Sequence, residues 1–268
     1  MLLATLAFTI MQVFIKELSH YHVFQIIFFR SSITALFCLT LLRSKKVPIL
    51  GQMRNLLLLR AICGIISMTF FFWTIQRIPL GAAVSLRYLA PIFTAVFAVY
   101  LLKEKVTLPQ WGYFLMALIG VFLLKGFDTR IDNLSFVTGI LGAFFGGLVY
   151  ILIRKIGTSE HPLVIINYFM FSAASLSFIG MIFYWQSPTL LEWILLAGMG
   201  ISGYFGQIYM TQSFQLEAAS RVAPVKYVEL VYSLLIGLVW FGESYSLISF
   251  VGIILILLGM ILNLKTKF

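Results

Sequence analysis

Charged side chains inside long apolar runs are the residues of this sequence best placed to do chemistry. Glu229 lies near the centre of one run, and Lys226 precedes it by one helical turn, the spacing of an i,i+3 pair. Arg87 and Arg30 lie deep inside two other runs. A charge at the centre of a membrane helix costs about 2.5–3.5 kcal/mol on insertion scales, so each requires a compensating role. Glu229 therefore either forms a structural pair with Lys226, or binds a cationic group or carries a proton.

Aromatic and amide side chains lie in the same runs. Rings and amides of this kind can stack on a planar ligand and hydrogen-bond to it. Each can equally serve helix packing or the aromatic belt at a membrane surface. We identify five of them as candidate ligands: Trp73, Tyr88, Tyr209, Gln212 and Tyr227.

The apolar runs that hold these residues predict transmembrane helices. Of the 268 residues, 61% are hydrophobic and 10% charged, with a mean hydropathy of +1.03. A soluble domain could not bury so much apolar surface, and continuous rather than alternating runs exclude a membrane β-barrel. Short connections leave no room for a soluble catalytic domain. We predict an all-α polytopic membrane protein with ten spans, at 2–18, 23–42, 55–76, 79–102, 107–125, 135–153, 162–184, 190–212, 219–241 and 246–264.

Basic residues are distributed unevenly between alternate loops. The formal net charge is +10, which in a soluble protein would suggest nucleic acid; here the excess is explained by loops that stay in the cytoplasm. Ten basic residues fall on one side and four on the other, which predicts cytoplasmic termini. The ten are Arg43, Lys45, Lys46, Arg54, Lys103, Lys105, Arg154, Lys155, Lys265 and Lys267; the four are Lys16, Arg77, Lys125 and Arg130.

The second half of the chain repeats the first at a shift of 139 residues. Polar, aromatic and glycine matches support this register: Lys16 with Lys155, Gly64 with Gly203, Gln76 with Gln215, Arg87-Tyr88 with Lys226-Tyr227, Glu104 with Glu243, and Gly120 with Gly259. Five spans are an odd number, so the second copy enters the membrane from the opposite side. We therefore predict two inverted five-helix repeats, residues 1–125 and 135–268, with a site between them.

The repeat relates the deep charges to one another. Arg87 and Lys226 occupy equivalent positions and would approach the midplane from opposite faces, bracketing an anionic group; alternatively, each snorkels or pairs internally. Glu229 corresponds to Ala90, so only the second copy has this acid. Arg30 either lines the cavity or binds helix-end carbonyls. Arg60, near the cytoplasmic end of its span, is expected to be a surface anchor.

Several segments of the sequence resemble the drug/metabolite transporter superfamily in its EamA-like branch. The similar tails begin "SLRYLAPIFT" at Ser85 and "VKYVELVYSL" at Val225, and "FFR" at Phe28 and "LLLLRAICG" at Leu56 also fit. The resemblance covers essentially the whole chain. Within the branch, "KYVEL" at Lys226 is similar to bacterial S-adenosylmethionine carriers, whereas other members carry amino acids, riboflavin, sugars or drugs.

The resemblance and the repeat together predict a secondary transporter for a small polar or charged metabolite, working by alternating access without ATP. Its expected partners are this solute, membrane lipid and a coupling proton, in a monomer or homodimer in the cell inner membrane. No cofactor or metal is expected. A drug or metabolite exporter of the same fold is the alternative. An intramembrane enzyme is disfavoured, because "GISG" at Gly200 lacks a partner: His20, His22 and His161 all fall in loops.

The basic-residue bias makes the orientation testable. Single cysteines replacing Thr129 and Ser44, in a variant without Cys38 and Cys63, are exposed to an impermeant thiol reagent in intact cells. Only the cysteine at position 129 should react, because the Arg43–Arg54 loop is expected in the cytoplasm. Reaction at position 44 alone would reverse the orientation.

Overall fold

The computed structural model describes residues 1–103, 106–127, 131–222, 225–226, 228–244 and 246–265, and these residues are almost entirely α-helical. Twelve α-helices lie within them, and no strand occurs in these ranges. The helices are α1 Leu2–Glu17, α2 Val23–Ser44, α3 Arg54–Arg77, α4 Leu80–Arg87, α5 Ala90–Leu102, α6 Leu108–Phe127, α7 Asn133–Ile156, α8 Pro162–Phe183, α9 Leu190–Leu216, α10 Ala219–Val222, α11 Val228–Val239 and α12 Leu247–Lys265.

Within the described residues, five segments are both long enough and apolar enough to cross a bilayer. They are Val23–Ser44, Arg54–Arg77, Leu80–Leu102, Asn133–Ser159 and Pro162–Phe183. Many large apolar side chains elsewhere on the helices face outward, as lipid contact requires. An all-helical, multi-pass membrane protein is therefore confirmed. The ten crossings and their inverted arrangement stay predictions.

Helices from the first half of the chain pack mainly on helices from the second half. Thus α3 packs on α7, α2 on α8, and α1 on α9. A separate pair, α6 and α12, meets so closely that a methyl group added at Gly120 or Gly259 would collide with a backbone carbonyl of the other helix. This close approach of backbones is typical of small residues at membrane helix interfaces.

Two of the predicted spans are interrupted, the fourth near its middle and the ninth close to its start. In the fourth span, helix α4 ends at Arg87 and helix α5 begins at Ala90, with Pro91 in the first turn of α5. Tyr88 and Leu89 donate their backbone N–H groups to residues three positions earlier, at 3.1 Å each, so the backbone tightens where proline cannot donate. The ninth span likewise separates into α10 and α11; Pro224 lies outside the described residues.

A carboxylate from the second half fixes the start of α4. Glu243 Oε1 accepts a hydrogen bond from the backbone N–H of Leu80 at 2.6 Å. A negative group at this position satisfies a free N–H and interacts favourably with the helix dipole. The interrupted helix is thus anchored by a residue far away in the sequence.

Two histidines cap the helices that follow them. His22 Nδ1 accepts the N–H of Phe24 at 3.4 Å at the start of α2, and His161 Nδ1 accepts the N–H of Leu163 at 3.2 Å at the start of α8. Burial, followed by the charge of Arg77, lowers the pKa of His22 from its usual value. Burial, followed by the charge of Lys45, also lowers the pKa of His161 from its usual value. Both rings therefore stay neutral, as an accepting Nδ1 requires.

These caps predict a loss of stability in acid. The folded-state pKa of each histidine lies below that of the unfolded chain, so the contribution is present above about pH 6.5 and is lost as pH falls through the folded values. The melting temperature should fall between about pH 7.5 and about pH 5.5. The melting temperature of the double variant His22→Asn/His161→Asn should fall less over this range, because an asparagine oxygen caps the helix without titrating. Equal falls in both proteins would contradict the assignment.

Candidate functional site

A narrow cavity lies among helices of both halves. Residues of α1, α2, α3, α4, α7, α8 and α9 line it, and its open volume is about 40 Å³. A volume of this size accommodates only a few water molecules. The conformation is therefore one in which the cavity is nearly closed.

Glu229 and Lys226 lie beside this cavity in a network that crosses between the halves. Gln12 of α1 donates from Nε2 to Glu229 Oε1, and Ser233 donates to Gln12 Oε1 at 3.2 Å. Lys226 Nζ donates to the hydroxyl of Tyr150 at 2.6 Å but lies 3.9 Å from Glu229 Oε2. That carboxylate oxygen has no hydrogen-bond partner in the described structure. The acid and the lysine are thus in electrostatic contact, while each bonds to a different neighbour.

The interrupted helices meet at the same place. The hydroxyl of Tyr88, just after α4, donates to the backbone carbonyl of Lys226 at 2.8 Å. Arg87, Pro91 and Glu229 line a small void there. An interrupted helix frees backbone groups, and here one of them is satisfied by the opposite half of the chain.

Arg30 and Arg60 are buried in the wall of the cavity without a carboxylate partner in the described residues. Arg30 Nη1 donates to the weak sulfur acceptors of Met68 at 2.8 Å and Met170 at 3.4 Å. Arg60 Nη2 donates to Gln207 Oε1 at 3.3 Å. Arg30 Nε, Arg60 Nε and Arg60 Nη1 make no hydrogen bond there. Buried N–H groups of a cation are costly to leave unsatisfied, so these two side chains are prepared for an acceptor.

Aromatic rings and glycines hold the guanidinium groups in place. The Arg60 guanidinium lies 4.1 Å and that of Arg30 5.8 Å from the ring centre of Phe169. Such contacts are attractive but supply no acceptor oxygen. A Cβ at Gly64 would lie 2.8 Å from Arg60 Nη1, and one at Gly203 would lie 3.1 Å from Arg30 Nε. These two glycines therefore leave the space that the arginines occupy.

Two open vestibules lie away from the central cavity. The vestibule around His22, of about 530 Å³, includes Trp73, with the Arg77 guanidinium 3.6 Å above its ring. The vestibule around His161, of about 410 Å³, includes the exposed Gln212. Both are formed where a loop before a helix meets the end of α3 or α9.

The structure brings five of the predicted site residues to the cavity or its adjoining void: Arg30, Arg87, Tyr88, Lys226 and Glu229. It does not bring Trp73, Tyr209 or Gln212 there. Trp73 and Gln212 lie in the vestibules, because α3 and α9 extend beyond the cavity. Tyr209 packs near the exposed Phe205; it follows the cavity residue Gln207 by two positions, which turns it to the opposite face of α9. Tyr227 lies outside the described residues.

Sequence reasoning missed three members of the site. Arg60 is fully buried against Phe169, so the expected surface anchor is wrong: Arg60 lies about 9 Å along α3 from Arg54, well inside the helix. Its position inside the apolar run "LLLLRAICG" is the sequence feature that could have indicated burial.

The other two residues are Tyr150, which contacts Lys226, and Gln12, which contacts Glu229. Both lie on distant helices, and no pattern in the sequence marks them.

Comparison with known proteins identifies the family. The EamA-like transporter family matches residues 1–126 and 133–265. The chain is 29% identical to the pseudopaline exporter of Pseudomonas aeruginosa, over 99% of this chain and 94% of that one. It is 26% identical to the S-adenosylmethionine uptake transporter of Rickettsia prowazekii, over 69% of this chain and 63% of that one.

A solved crystal structure has the same fold. Its TM-score with this chain is 0.74 at 18% identity, and the match covers 97% of this chain and 96% of the other. At this identity the likeness concerns the fold alone. The family match extends over almost the whole described sequence and confirms both the resemblance and the assignment as a transporter rather than an enzyme. The chain belongs to the EamA-like transporter family.

Proposed function

We propose that this chain is a secondary transporter that moves a small polar or charged metabolite by alternating access, without ATP. The observation that carries the proposal is the nearly closed cavity with its adjoining void, where Arg87 and Tyr88 of one half meet Lys226 and Glu229 of the other. Interrupted helices at the meeting point of two repeats are a common design for substrate sites in secondary transporters. The solute would enter when the halves separate on one side.

The proposal includes two inverted five-helix repeats, residues 1–125 and 135–268. Helix bounds support it: α2 at Val23–Ser44 and α8 at Pro162–Phe183 differ by the shift of 139 residues at both ends. The capping histidines His22 and His161 are separated by the same shift. In an inverted pair, equivalent residues contact equivalent neighbours across a pseudo-two-fold axis.

Reciprocal contacts agree with this symmetry. A methyl group at Gly120 would meet the carbonyl of Gly252, and one at Gly259 would meet the carbonyl of Tyr113. The shift of 139 residues relates Gly120 to Gly259 and Tyr113 to Gly252, so the two contacts are equivalent.

A pair of hydrogen bonds is related by the same shift. Gln76 donates to the carbonyl of Tyr21 at 2.8 Å, and its equivalent Gln215 donates to the carbonyl of Glu160, also at 2.8 Å.

The two vestibules support alternating access. Trp73 and Gln212, and Gln76 and Gln215, are equivalent under the same shift, so the His22 and His161 vestibules are built from corresponding positions. An inverted repeat would put them on opposite faces of the membrane. The central cavity would then open toward one vestibule or the other as the halves rock.

The relatives leave the transported solute and its direction open. Two relatives transport in opposite directions: one exports pseudopaline and the other takes up S-adenosylmethionine. We propose the same general class for this chain, a small polar or charged metabolite, moved across the cell inner membrane by a monomer or homodimer. Both termini would be cytoplasmic, and a proton bound at Glu229 would couple transport to the membrane potential.

Glu229 and Lys226 are proposed as the solute- or proton-binding pair. A purely structural ion pair would be expected to place its charged atoms within hydrogen-bond distance. Here Lys226 Nζ lies 3.9 Å from Glu229 Oε2 and bonds to Tyr150 instead. The free carboxylate oxygen is therefore available to a ligand or a proton.

The variant Glu229→Gln tests this role. It keeps the shape of the side chain and an oxygen that can accept from Gln12, so the melting temperature should remain close to that of the wild type. Transport should nevertheless be lost, because an amide neither carries the proton nor binds a cationic group. We would measure uptake into proteoliposomes from a soluble metabolite extract by mass spectrometry. The matched control is Glu17→Gln, an exposed acid at the end of α1, which should transport normally.

The double variant Glu229→Gln/Lys226→Met separates function from structure. If the pair were purely structural, each single change would leave one buried charge uncompensated and lower the melting temperature, and the double change would restore it. Under the proposed function, the double variant is stable but inactive. Full recovery of transport in this variant would overturn the role of Glu229.

A further inference from the structure

We propose that the solute of this transporter carries two or more anionic groups, carboxylate or phosphate, which bind the cluster formed by Arg30, Arg60 and Arg87. This inference rests on the proposed function, because it names the class of solute for the same cavity. It is carried by buried guanidinium groups that face the cavity with unsatisfied N–H groups.

Charge in and around the cavity is strongly unbalanced. Arg30, Arg60 and Arg87 line the cavity, and no Asp or Glu is among the described residues that line it. Lys226 adds a fourth cation at the adjoining void, where Glu229 supplies a single carboxylate. The arginines are also close enough for Arg60 and Arg87 to act electrostatically on Arg30. Four cations in a low-dielectric interior require more negative charge than this one carboxylate provides.

The arginines have free hydrogen-bonding capacity of a specific kind. The side chains of Arg30 and Arg60 are 2% and 0% exposed. Among the described residues, Nε and Nη1 of Arg60 have no hydrogen-bond partner, and neither does Nε of Arg30. The Nε–H and one Nη–H of a guanidinium form the fork that binds a carboxylate or phosphate through two parallel hydrogen bonds. In Arg60 the free Nε and Nη1 lie on different edges of the guanidinium, and each edge is completed by Nη2. Because Nη2 gives only one of its two N–H groups to Gln207, one edge retains a pair of donors for an anion.

Existing contacts of these arginines hold them in position without neutralising them. Met68, Met170 and Phe169 offer sulfur atoms and a ring face, which are weak partners for a cation. A structural arginine would be expected to bind a carboxylate or several carbonyls. Rigid positioning with spare donors is what a binding site requires, because little freedom is lost when the ligand arrives.

The positions of the three arginines favour more than one anionic group. Arg30 lies on α2, Arg60 on α3 and Arg87 at the end of α4, so the guanidinium groups approach from different walls. Phe169 lies beside both Arg30 and Arg60. A monovalent anion can occupy one fork at a time, whereas an elongated solute with two or three anionic groups can occupy several. Glu229 remains available for a cationic group of the same solute or for a proton.

Ligand binding by purified protein in detergent tests the inference. Sodium chloride, acetate, succinate, citrate and pyrophosphate would be compared at equal ionic strength by their effect on the melting temperature. A ligand that binds only the folded state raises it. We expect chloride and acetate to have the smallest effect, and succinate and then citrate to have larger ones. A greater effect of pyrophosphate than of citrate assigns the anionic groups as phosphates, and the reverse assigns carboxylates.

Variants of the arginines provide the specific readout. Arg60→Gln and Arg30→Gln should each weaken binding of the most effective anion on the order of thirtyfold or more, as expected for one partner of a buried charge pair. Arg60→Lys keeps the charge but lacks the fork, so it should bind more weakly than the wild type. The control Arg43→Gln removes an exposed charge at the end of α2 and should bind normally.

Stability without ligand distinguishes binding arginines from structural ones. Removing an uncompensated buried cation should leave the melting temperature of Arg60→Gln and Arg30→Gln unchanged or higher. A marked fall in both would overturn the proposal, as would equal effects of all the anions or equal binding by Arg60→Gln and Arg43→Gln. Because this assay needs no translocation, anion binding without transport contradicts only the proposed function. Transport that is insensitive to Arg60→Gln contradicts only the inference.

Discussion

Hydrocarbon solvates charge so poorly that an ionised side chain persists in a membrane helix only where other parts of the protein surround it. This constraint explains why the deep charges of this chain converge. Arg30 and Arg60 are enclosed by Phe169 and by methionine sulfurs, and Glu229 reaches Gln12 on the first helix. A lipid-facing position would leave each of them without a partner. The deep charges therefore lie where the two halves meet, because only this interface encloses them in protein.

The backbone obeys the same constraint. An interrupted helix exposes N–H and carbonyl groups that lipid cannot satisfy, so the interruption must be enclosed by protein. The break after Arg87 is closed by short-range turns, while Tyr88 donates across the interface to the carbonyl of Lys226. At the far end of α4, Glu243 accepts the N–H of Leu80. The segment that carries Arg87 is thus tied to the second half at both ends.

The two halves differ most in the chemistry of the cavity. Under the shift of 139 residues, Arg30 corresponds to Phe169, and Arg60 to Met199. The first half therefore contributes the guanidinium groups, and the second half contributes the ring against which they pack. Glu229, which corresponds to Ala90, is likewise found in one copy only. Under the proposed function, similar scaffolds with different side chains would retain an interface that can rock and would recognise a solute with distinct anionic and cationic ends.

The sequence by itself determined the helical membrane class, the family, and which polar residues lie deep in apolar runs. The lengths of those runs and the energetic cost of buried charge carry this information locally. Only the tertiary structure decided which of these residues share a cavity. Arg60 faces the interior although it lies near one end of its run, whereas Trp73 and Gln212 lie in the vestibules. Spacing along a helix relates a residue to its neighbours on that helix, but the rotation and height of one helix against another are set by packing between distant segments.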